Sequence, residues 1–252
     1  MTSNLWYPKQ SPMLSMQSLG GGAAGLMISG DSEPSGFGSV EFDGTDDYLT
    51  IANNDAWEWD GAAYTIELWG YFDSHNGHDC LVHNLTDSGW DGGSWAFEYV
   101  STQFDVYWHN GSGYQHLDGG TNIPTGSWKH YVWQMTSGGS HAIYQDGTRL
   151  ATGGSTVPRD GTNPLCIGGN CVGADFVGKI SNLRITLGQT LYSGSSFTKP
   201  RSPLTTTSQG ATASNVKLLC CNDPTNMLGA TVTPDTISVG GGNPQVSSSH
   251  PF

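Results

Sequence analysis

The stretch EFDGTDDYLTI, residues 41–51, contains four carboxylates within seven residues. Glu41 and Asp43 lie two apart and would share one side of a strand, and retaining glycosidases need two carboxyls about 5–5.5 Å apart. Asp43, Asp46 and Asp47 also offer oxygen ligands for Ca²⁺, which takes about six to eight of them. Apolar alternation on both sides of the Asp-Gly step is typical of a hairpin turn. The sequence favours the turn over the calcium site, and calcium over catalysis.

Aromatic and amide side chains gather in three loop-like stretches, an arrangement that suits a carbohydrate. Aromatic faces pack against the C–H surfaces of a sugar ring, and a few polar groups bind its hydroxyls. The candidate carbohydrate-binding residues are Trp57, Trp59, Trp90, Asn110 and Tyr114. Trp90 is the strongest candidate because it lies in a segment without alternation. For five other tryptophans, which lie in or beside alternating strands, we predict instead packing in the core or on a sheet face: Trp69, Trp95, Trp108, Trp128 and Trp133.

Histidine and cysteine show no metal-ligand spacing. His75, His78 and His83 lie within nine residues, but the stretch straddles a glycine turn, so we expect them to be solvated loop residues rather than zinc ligands. The five cysteines are expected to be buried small hydrophobes. Cys220 and Cys221 are adjacent and should point to opposite faces of a strand.

Composition favours strands. Glycine occurs 36 times, Trp and Tyr together 19 times, and the net charge of −13 argues against nucleic-acid binding, which depends on basic side chains. Ten short alternating runs lie between residues 39 and 187, separated by turn residues that include Asp43-Gly44, Asn110-Gly111 and Asp146-Gly147. The sequence therefore predicts an all-β sandwich or barrel with almost no helix.

Three zones divide the chain. Residues 1–38 are predicted to be an N-terminal arm for assembly, whose apolar contacts come from Leu5, Trp6, Met13, Leu14, Met16, Leu19, Leu26, Met27 and Ile28. Residues 39–190 are predicted to form the β domain, and residues 191–252 a C-terminal extension with one further strand, NVKLLCCN, and a loose, extended tail. The apolar run LGGGAAGLMI is too short to span a bilayer and has no basic segment before it, so neither membrane insertion nor a cleaved signal is expected.

Four motifs in order, EFDGTDDYLTI, YTIELWGYF, WKHYVWQMTSGGSHAIYQDG and FVGKISNLRIT, resemble those of concanavalin A-like, laminin G-type jelly-roll domains. The resemblance implies an antiparallel two-sheet jelly-roll sandwich with one curved, concave face, flanked here by extended N- and C-terminal arms. Such domains often hold Ca²⁺ at a rim between loops, which adds Asp175 to the possible calcium ligands Asp43, Asp46 and Asp47.

Laminarinase-type glucanases of the same fold carry their carboxylates as E-x-D-x-E or E-x-D-x-x-E. Here Glu41, Asp43 and Asp46 give E-x-D-x-x-D, with a shorter acid at the last position and Gly44-Thr45 within the motif. We therefore expect no catalytic residues and no enzyme activity.

The segment ITLGQTLYSGSSFTKPRSPLTTTSQ, followed by VKLLCCN, resembles the tail that accompanies this domain in structural proteins of tailed marine bacteriophages. The resemblance implies a structural protein on the virion surface, assembled in the host cytoplasm. Its partners would be other virion proteins, further copies of itself and surface glycans. Capsid decoration is slightly favoured over a tail or fibre position. A host-attachment lectin is the alternative interpretation, and a glucanase is the third.

Overall fold

A computed structural model describes residues 36–85, 95–121, 123–169 and 174–252, all within one compact unit. Its strands are β1 (Ser39–Asp43), β2 (Tyr48–Ile51), β3 (Tyr64–Phe72), β4 (His78–His83), β5 (Trp95–Val100), β6 (Gln103–His109), β7 (Tyr114–Thr121), β8 (Trp128–Met135), β9 (His141–Gln145), β10 (Thr148–Gly153), β11 (Leu165–Ile167), β12 (Val177–Leu187), β13 (Val216–Cys220), β14 (Ala230–Val232), β15 (Ile237–Gly241) and β16 (Gln245–Ser247). Helical structure in the described residues is limited to short 3₁₀ turns at Asp55–Trp57, Ser208–Gly210 and Ala213–Asn215. None of the described helices is long and apolar enough to cross a membrane.

The strands form two antiparallel sheets. The nine-stranded sheet has the order β10-β9-β8-β3-β12-β1-β16, and β13 and β14 continue from β12. The seven-stranded sheet has the order β15-β2-β11-β4-β5-β6-β7. The predicted all-β, jelly-roll class of fold is confirmed.

Aromatic side chains fill much of the core between the sheets. Trp59 stacks on Tyr64 with a centroid distance of 3.9 Å, and Trp95 meets Trp133 edge-on at 5.6 Å. Tyr64 and Trp133 come from strands of the nine-stranded sheet and Trp95 from a strand of the seven-stranded sheet, whereas Trp59 lies in the loop before β3. Period-two patterning directs such strand side chains into a sandwich core. Trp69, Trp95, Trp108 and Trp133 are buried, as predicted, and Trp128 is half-buried.

Two of the predicted hairpin turns are present and the third is not. Asp146 and Gly147, both at positive φ, join β9 to β10 in a two-residue hairpin, and Asn110-Gly111 opens the turn between β6 and β7. The hairpin predicted at Asp43-Gly44 is wrong, because β1 pairs with β12 and β16 in one sheet while β2 pairs with β11 and β15 in the other. Asp-Gly here turns the chain from one sheet to the other. Local alternation predicts a tight turn but does not choose the partner of the next strand.

The C-terminal extension is part of both sheets. Instead of one further strand and a loose tail, residues after 191 supply β13 to β16. β15 pairs with β2 and β16 pairs with β1, so each satisfies an edge whose backbone groups would otherwise remain exposed. The predicted boundary at residue 190 therefore does not separate the sandwich from an independent arm.

The segment between β12 and β13 covers the outer face of the nine-stranded sheet. Arg184 Nε donates to Glu67 Oε1 at 2.9 Å, and Arg184 Nη1 reaches back to the carbonyl of Thr205 at 2.6 Å. Glu67 Oε2 also accepts from the Tyr192 hydroxyl at 2.7 Å and lies 3.0 Å from His130 Nε2. All four of these side chains are fully or almost fully buried. A polar network, rather than apolar packing alone, therefore fastens this segment to the sheet.

The four described cysteines, Cys80, Cys166, Cys220 and Cys221, are buried thiols, as expected. The prediction that Cys220 and Cys221 point to opposite faces is wrong, since both join the main core with their sulfurs 3.4 Å apart. Cys221 has a φ of +61°, and this left-handed conformation interrupts strand alternation. Cys171 lies outside the described residues.

Candidate functional site

The outer face of the β6–β7 hairpin carries three successive cross-strand pairs of polar and aromatic side chains. The strand register places His109 opposite Tyr114, Tyr107 opposite His116 and Asp105 opposite Asp118. We call these six residues the β6–β7 strip. Consecutive pairs are two residues apart, so the strip runs for about 14 Å along the hairpin at about 3.4 Å per residue.

The hairpin directs these side chains outward because their neighbours are core residues. Phe104, Val106 and Trp108 of β6 are buried in the main cluster, and Leu117 of β7 packs against it. Alternation then sends the intervening residues to the opposite face. The strip lies at the margin of the sheet, since β7 ends the strand order.

The turn of the hairpin is held by Asn110. Its Oδ1 accepts hydrogen bonds from the backbone N–H groups of Ser112 and Gly113, both at 2.9 Å. Gly111 adopts a φ of +90°, which suits glycine. Asn110 therefore has a turn-forming role that keeps the two halves of the strip in register.

Two rings of the strip, Tyr114 and His116, are exposed, and the other two, Tyr107 and His109, are half-buried. The rings of Tyr107 and His116 are nearly parallel, at 16°, with centroids 5.4 Å apart, while His109 and Tyr114 meet edge-on at 4.9 Å. Tyr114 is 45% exposed and the His116 side chain 55% exposed. Exposed aromatic surface beside hydrogen-bonding groups is a general property of sugar-binding surfaces.

At the other end of the strip, a row of carboxylates crosses three strands. Glu98 of β5 is paired with Asp105 of β6, which is paired with Asp118 of β7. We call Glu98, Asp105 and Asp118 the carboxylate row. Burial raises the pKa of Asp105 to about 7, and the nearby Asp118 and Glu98 carboxylates add to the effect. The row therefore contains a carboxyl group that titrates near neutral pH, and it has one exposed end, because the Asp118 side chain is 46% exposed.

Histidines approach the row and the neighbouring loops. His78 Nε2 lies 2.7 Å from Glu98 Oε2, and His116 Nδ1 lies 2.8 Å from Asp118 Oδ1. His75 Nδ1 lies 3.2 Å from Asp79 Oδ2, and the buried His83 contacts the carbonyl of Gly169 at 2.7 Å. The expectation of solvated loop histidines is wrong. His78 and His83 lie on β4, and His75, in the loop before it, contacts Asp79 and the carbonyl of Ile123.

The predicted calcium ligands lie at the crossing between the sheets. In the described part of the chain, Asp43, Asp46 and Asp47 form the only set of three acidic, His or Cys residues with ligand atoms within 4.8 Å of one another. Asp47 already accepts from the backbone N–H groups of Asp43, at 2.9 Å, and Asn243, at 2.5 Å.

The side chain of Asp175 approaches the same rim. A Cβ atom added to Gly169 would meet both Asp175 Oδ1 and the carbonyl oxygen of Asp47. The donors suit Ca²⁺ in kind, but Asp47 has a structural role of its own. Calcium at this rim stays a prediction.

Comparison with known proteins agrees with this architecture. A family model described as the concanavalin A-like lectin/glucanases superfamily matches residues 43–188. The chain belongs to this superfamily. No curated protein sequence matches the chain significantly.

Solved structures of the superfamily's fold include the native heptameric SAP-like pentraxin from Limulus polyphemus. It is 15% identical with a TM-score of 0.51, and the match covers 88% of this chain and 99% of the pentraxin. A protein from Bacteroides ovatus whose proposed role is carbohydrate binding has 15% identity and a TM-score of 0.57. That match covers 86% of this chain and 62% of the other. At this identity these likenesses show the fold alone.

Two predicted carbohydrate-binding residues of this superfamily member are wrong. Trp57 is 1% exposed, and Trp59 is fully buried and stacks on Tyr64, so neither ring can contact a ligand. The sequence did not predict the 3₁₀ turn at Asp55–Trp57 that precedes Trp59, and both rings lie in the core. Tyr114 is exposed within the strip and stays a prediction. Trp90 lies outside the described residues, as do the nine assembly residues of the N-terminal arm.

The alternative of an acid pair at Glu41 and Asp43 gains no support. Lys179 Nζ lies 3.5 Å from Glu41 Oε1, and Asp43 Oδ1 accepts from the backbone N–H of Thr45. Asp46 follows the turn between the sheets, outside any strand. In this superfamily member the motif therefore spans the end of β1 and the turn that follows it.

Sequence reasoning missed most of the strip, although its signal was present. The hairpin reads D-V-Y-W-H, then N-G-S-G, then Y-Q-H-L-D, so the outward residues mirror one another across the turn. Recognising β7 as a strand would have paired Tyr107 with His116 and Asp105 with Asp118. Glu98 has no such local signal, because its neighbour in the row is set by strand pairing with β6.

Proposed function

We propose that the protein is a non-enzymatic carbohydrate-binding module and that the β6–β7 strip is its glycan-binding surface. The main support is that the half-buried ring of Tyr107 lies beside the exposed side chains of His116 and Asp118 on one sheet face. Tyr107 and His116 offer faces to the apolar side of a sugar ring, while Asp118 accepts hydrogen bonds from its hydroxyls. The superfamily to which the chain belongs includes lectins, in agreement with this proposal.

The strip is preorganised for binding. Its rings are held by backbone pairing rather than by loops, so little conformational entropy is lost when a glycan binds. The strip lies at the end of the sheet, and an oligosaccharide would extend past the hairpin.

Binding to immobilised oligosaccharides tests this proposal. Tyr107→Ala should abolish retention, because it removes half of the ring pair. Tyr71→Ala is the matched control, since Tyr71 is a half-buried tyrosine that packs on Trp128 in the other sheet. Unchanged retention of the Tyr107→Ala protein, with its fold intact by circular dichroism, would contradict the proposal.

We further propose that the module is displayed on a phage virion, with capsid decoration favoured slightly over tail or fibre. The support is the resemblance of residues 185–209 and 216–222 to the tails of phage structural proteins. Other virion proteins and further copies of the chain would be its partners, and the apolar residues of the N-terminal arm would make the contacts.

Cosedimentation with assembled particles tests the placement. Removal of residues 1–33 is the appropriate deletion, because the backbone of Gly38 already bonds to Asn222 and Ser181 in the sandwich. Loss of cosedimentation by a folded deletion variant would support an attachment arm. Unchanged cosedimentation would assign attachment to the sandwich, and no cosedimentation of the full chain would contradict virion display.

A further inference from the structure

The tripeptide His-Asn-Gly occurs twice in the chain, at residues 75–77 and 109–111. Asparagine followed by glycine is a chemically labile step, because the glycine nitrogen can attack the asparagine side chain and glycine has no Cβ to hinder the approach. Both glycines are exposed and both have a positive φ, +88° at Gly77 and +90° at Gly111. The two steps share their local sequence and differ in the groups around them.

At Asn110, the two reacting groups have hydrogen-bond partners that suit this attack. The side-chain oxygen Oδ1 accepts from the backbone N–H groups of Ser112 and Gly113, both at 2.9 Å, and so folds back over the peptide group of Gly111. The backbone N–H of Gly111 donates to His109 Nδ1 at 3.0 Å. A ring nitrogen that accepts a hydrogen bond carries no proton. A base therefore contacts the hydrogen that Gly111 must lose, and two donors contact the oxygen that would gain negative charge.

At Asn76, the same tripeptide has different surroundings. His75 Nδ1 lies 3.2 Å from Asp79 Oδ2 and its Nε2 lies 3.0 Å from the carbonyl oxygen of Ile123, so the imidazole is engaged away from Gly77. Asn76 Nδ2 donates to the carbonyl of Asp175 at 3.4 Å, and no backbone N–H within the described ranges donates to Asn76 Oδ1. The structure thus contains its own comparison, a His-Asn-Gly step without the base and the two donors.

We infer that the β6–β7 turn promotes its own modification, in which Asn110 is converted to aspartate and isoaspartate with His109 as the general base. The Gly111 nitrogen attacks Asn110 Cγ, its proton passes to His109 Nδ1, and the charge on Oδ1 is stabilised by the two backbone donors. The bond between Cγ and Nδ2 then breaks, and ammonia leaves with the proton that His109 returns. Water opens the resulting succinimide at either carbonyl. The net reaction consumes one water and releases one ammonia.

The products would change the hairpin that carries the strip. Both add a carboxylate at the turn. Isoaspartate also lengthens the main chain, which then runs through Cβ and Cγ of residue 110, and this disturbs the register that places His109 opposite Tyr114. The modification goes beyond the proposed function and does not depend on it.

The experiment follows both steps in the folded full chain during incubation at neutral pH. Chymotryptic peptides separate the two sites, and mass spectrometry measures the conversion of each asparagine. We expect Asn110 to convert at least about tenfold faster than Asn76, which is a modest effect for a positioned base. His109→Gln keeps a hydrogen-bond acceptor but removes the base, and it should slow conversion of Asn110 at least about tenfold without changing Asn76.

His250→Gln is the matched control. His250 Nδ1 also accepts a backbone N–H, from Phe252 at 3.3 Å, but it lies outside the β6–β7 hairpin, so its loss should leave conversion of Asn110 unchanged. Circular dichroism checks that both variants are folded. In urea the two steps lose their surroundings, and their rates should converge.

Three outcomes would overturn the inference. The first is conversion of Asn110 that is no faster than that of Asn76 in the folded chain, because exposure would then account for both. The second is unchanged conversion of Asn110 in folded His109→Gln. The third is a faster Asn110 that persists in urea, since the difference would then come from the local sequence and not from the turn.

Discussion

Substitution of Arg184 by Met should show how strongly the buried network holds the C-terminal segment to the sandwich. The guanidinium of Arg184 is buried, bonds to Glu67 and reaches the backbone of Thr205 and Ser208. Methionine retains much of the apolar volume but leaves the Glu67 carboxylate without its cationic partner. The change therefore tests the ion pair rather than the packing.

Two routes give a similar magnitude. Removal of one partner of a buried ion pair costs about 3–5 kcal/mol. Burial alone would raise the pKa of Glu67, but the hydrogen bond from His130 and the charge of Arg184 lower it from 4.5 to about 2. A depressed carboxylate pKa contributes stability above the unfolded pKa. A shift of this size corresponds to about 3 kcal/mol, which is the joint effect of His130, Arg184 and Tyr192 after the cost of burial. That stability should be lost as the pH falls from 4.5 towards 2.

Urea unfolding of the wild type, Arg184→Met, Glu67→Gln and the double variant measures the effect. Each single change should lower the free energy of unfolding by about 3 kcal/mol or more. The double change should cost clearly less than their sum, since it leaves no unpaired charge. Arg201→Met, at an exposed arginine, is the control and should change the free energy by less than about 0.5 kcal/mol. A cost below about 1 kcal/mol for Arg184→Met, or full additivity, would refute the reasoning.

Three further predictions concern pH, turn geometry and calcium. Burial lowers the pKa of His141 to about 4, so stability should fall as the pH drops from 6.5 towards 4, and urea midpoints of His141→Gln should show a smaller decline over that range. Gly147→Ala should lower the free energy of unfolding, measured by thermal unfolding, by about 2 kcal/mol or more, because its Cβ would collide with the Phe197 carbonyl at a positive φ. Gly111→Ala is the control, since this glycine also has a positive φ but faces open space, and it should cost about 1 kcal/mol. If the rim of Asp43, Asp46 and Asp47 binds Ca²⁺, calcium at 100 times the dissociation constant should raise the free energy of unfolding by about 2.7 kcal/mol, and Asp46→Asn should reduce this gain. If calcium does not stabilise the wild type, the three aspartates form a turn and not a calcium site.

Short-range patterning in the sequence was enough to identify most strands. The run YTIELWGYF became β3 with the predicted bounds, and Asp146-Gly147 became a two-residue hairpin. Both signals are local, because alternation sets the face of each side chain and Asp-Gly tolerates positive φ. The class of fold followed from the density of such runs.

Strand partners and the contents of the core were decided only in the tertiary structure. Asp43-Gly44 has the same local chemistry as Asp146-Gly147, yet it carries the chain from one sheet to the other. Trp59 follows an acidic, loop-like segment and is nevertheless buried against Tyr64. The same holds for the site: alternation placed Tyr107 and Asp105 on one face of β6, but pairing with β5 and β7 made the ring pair and the carboxylate row. Pairing depends on contacts between residues far apart in sequence, whose energies no local pattern records.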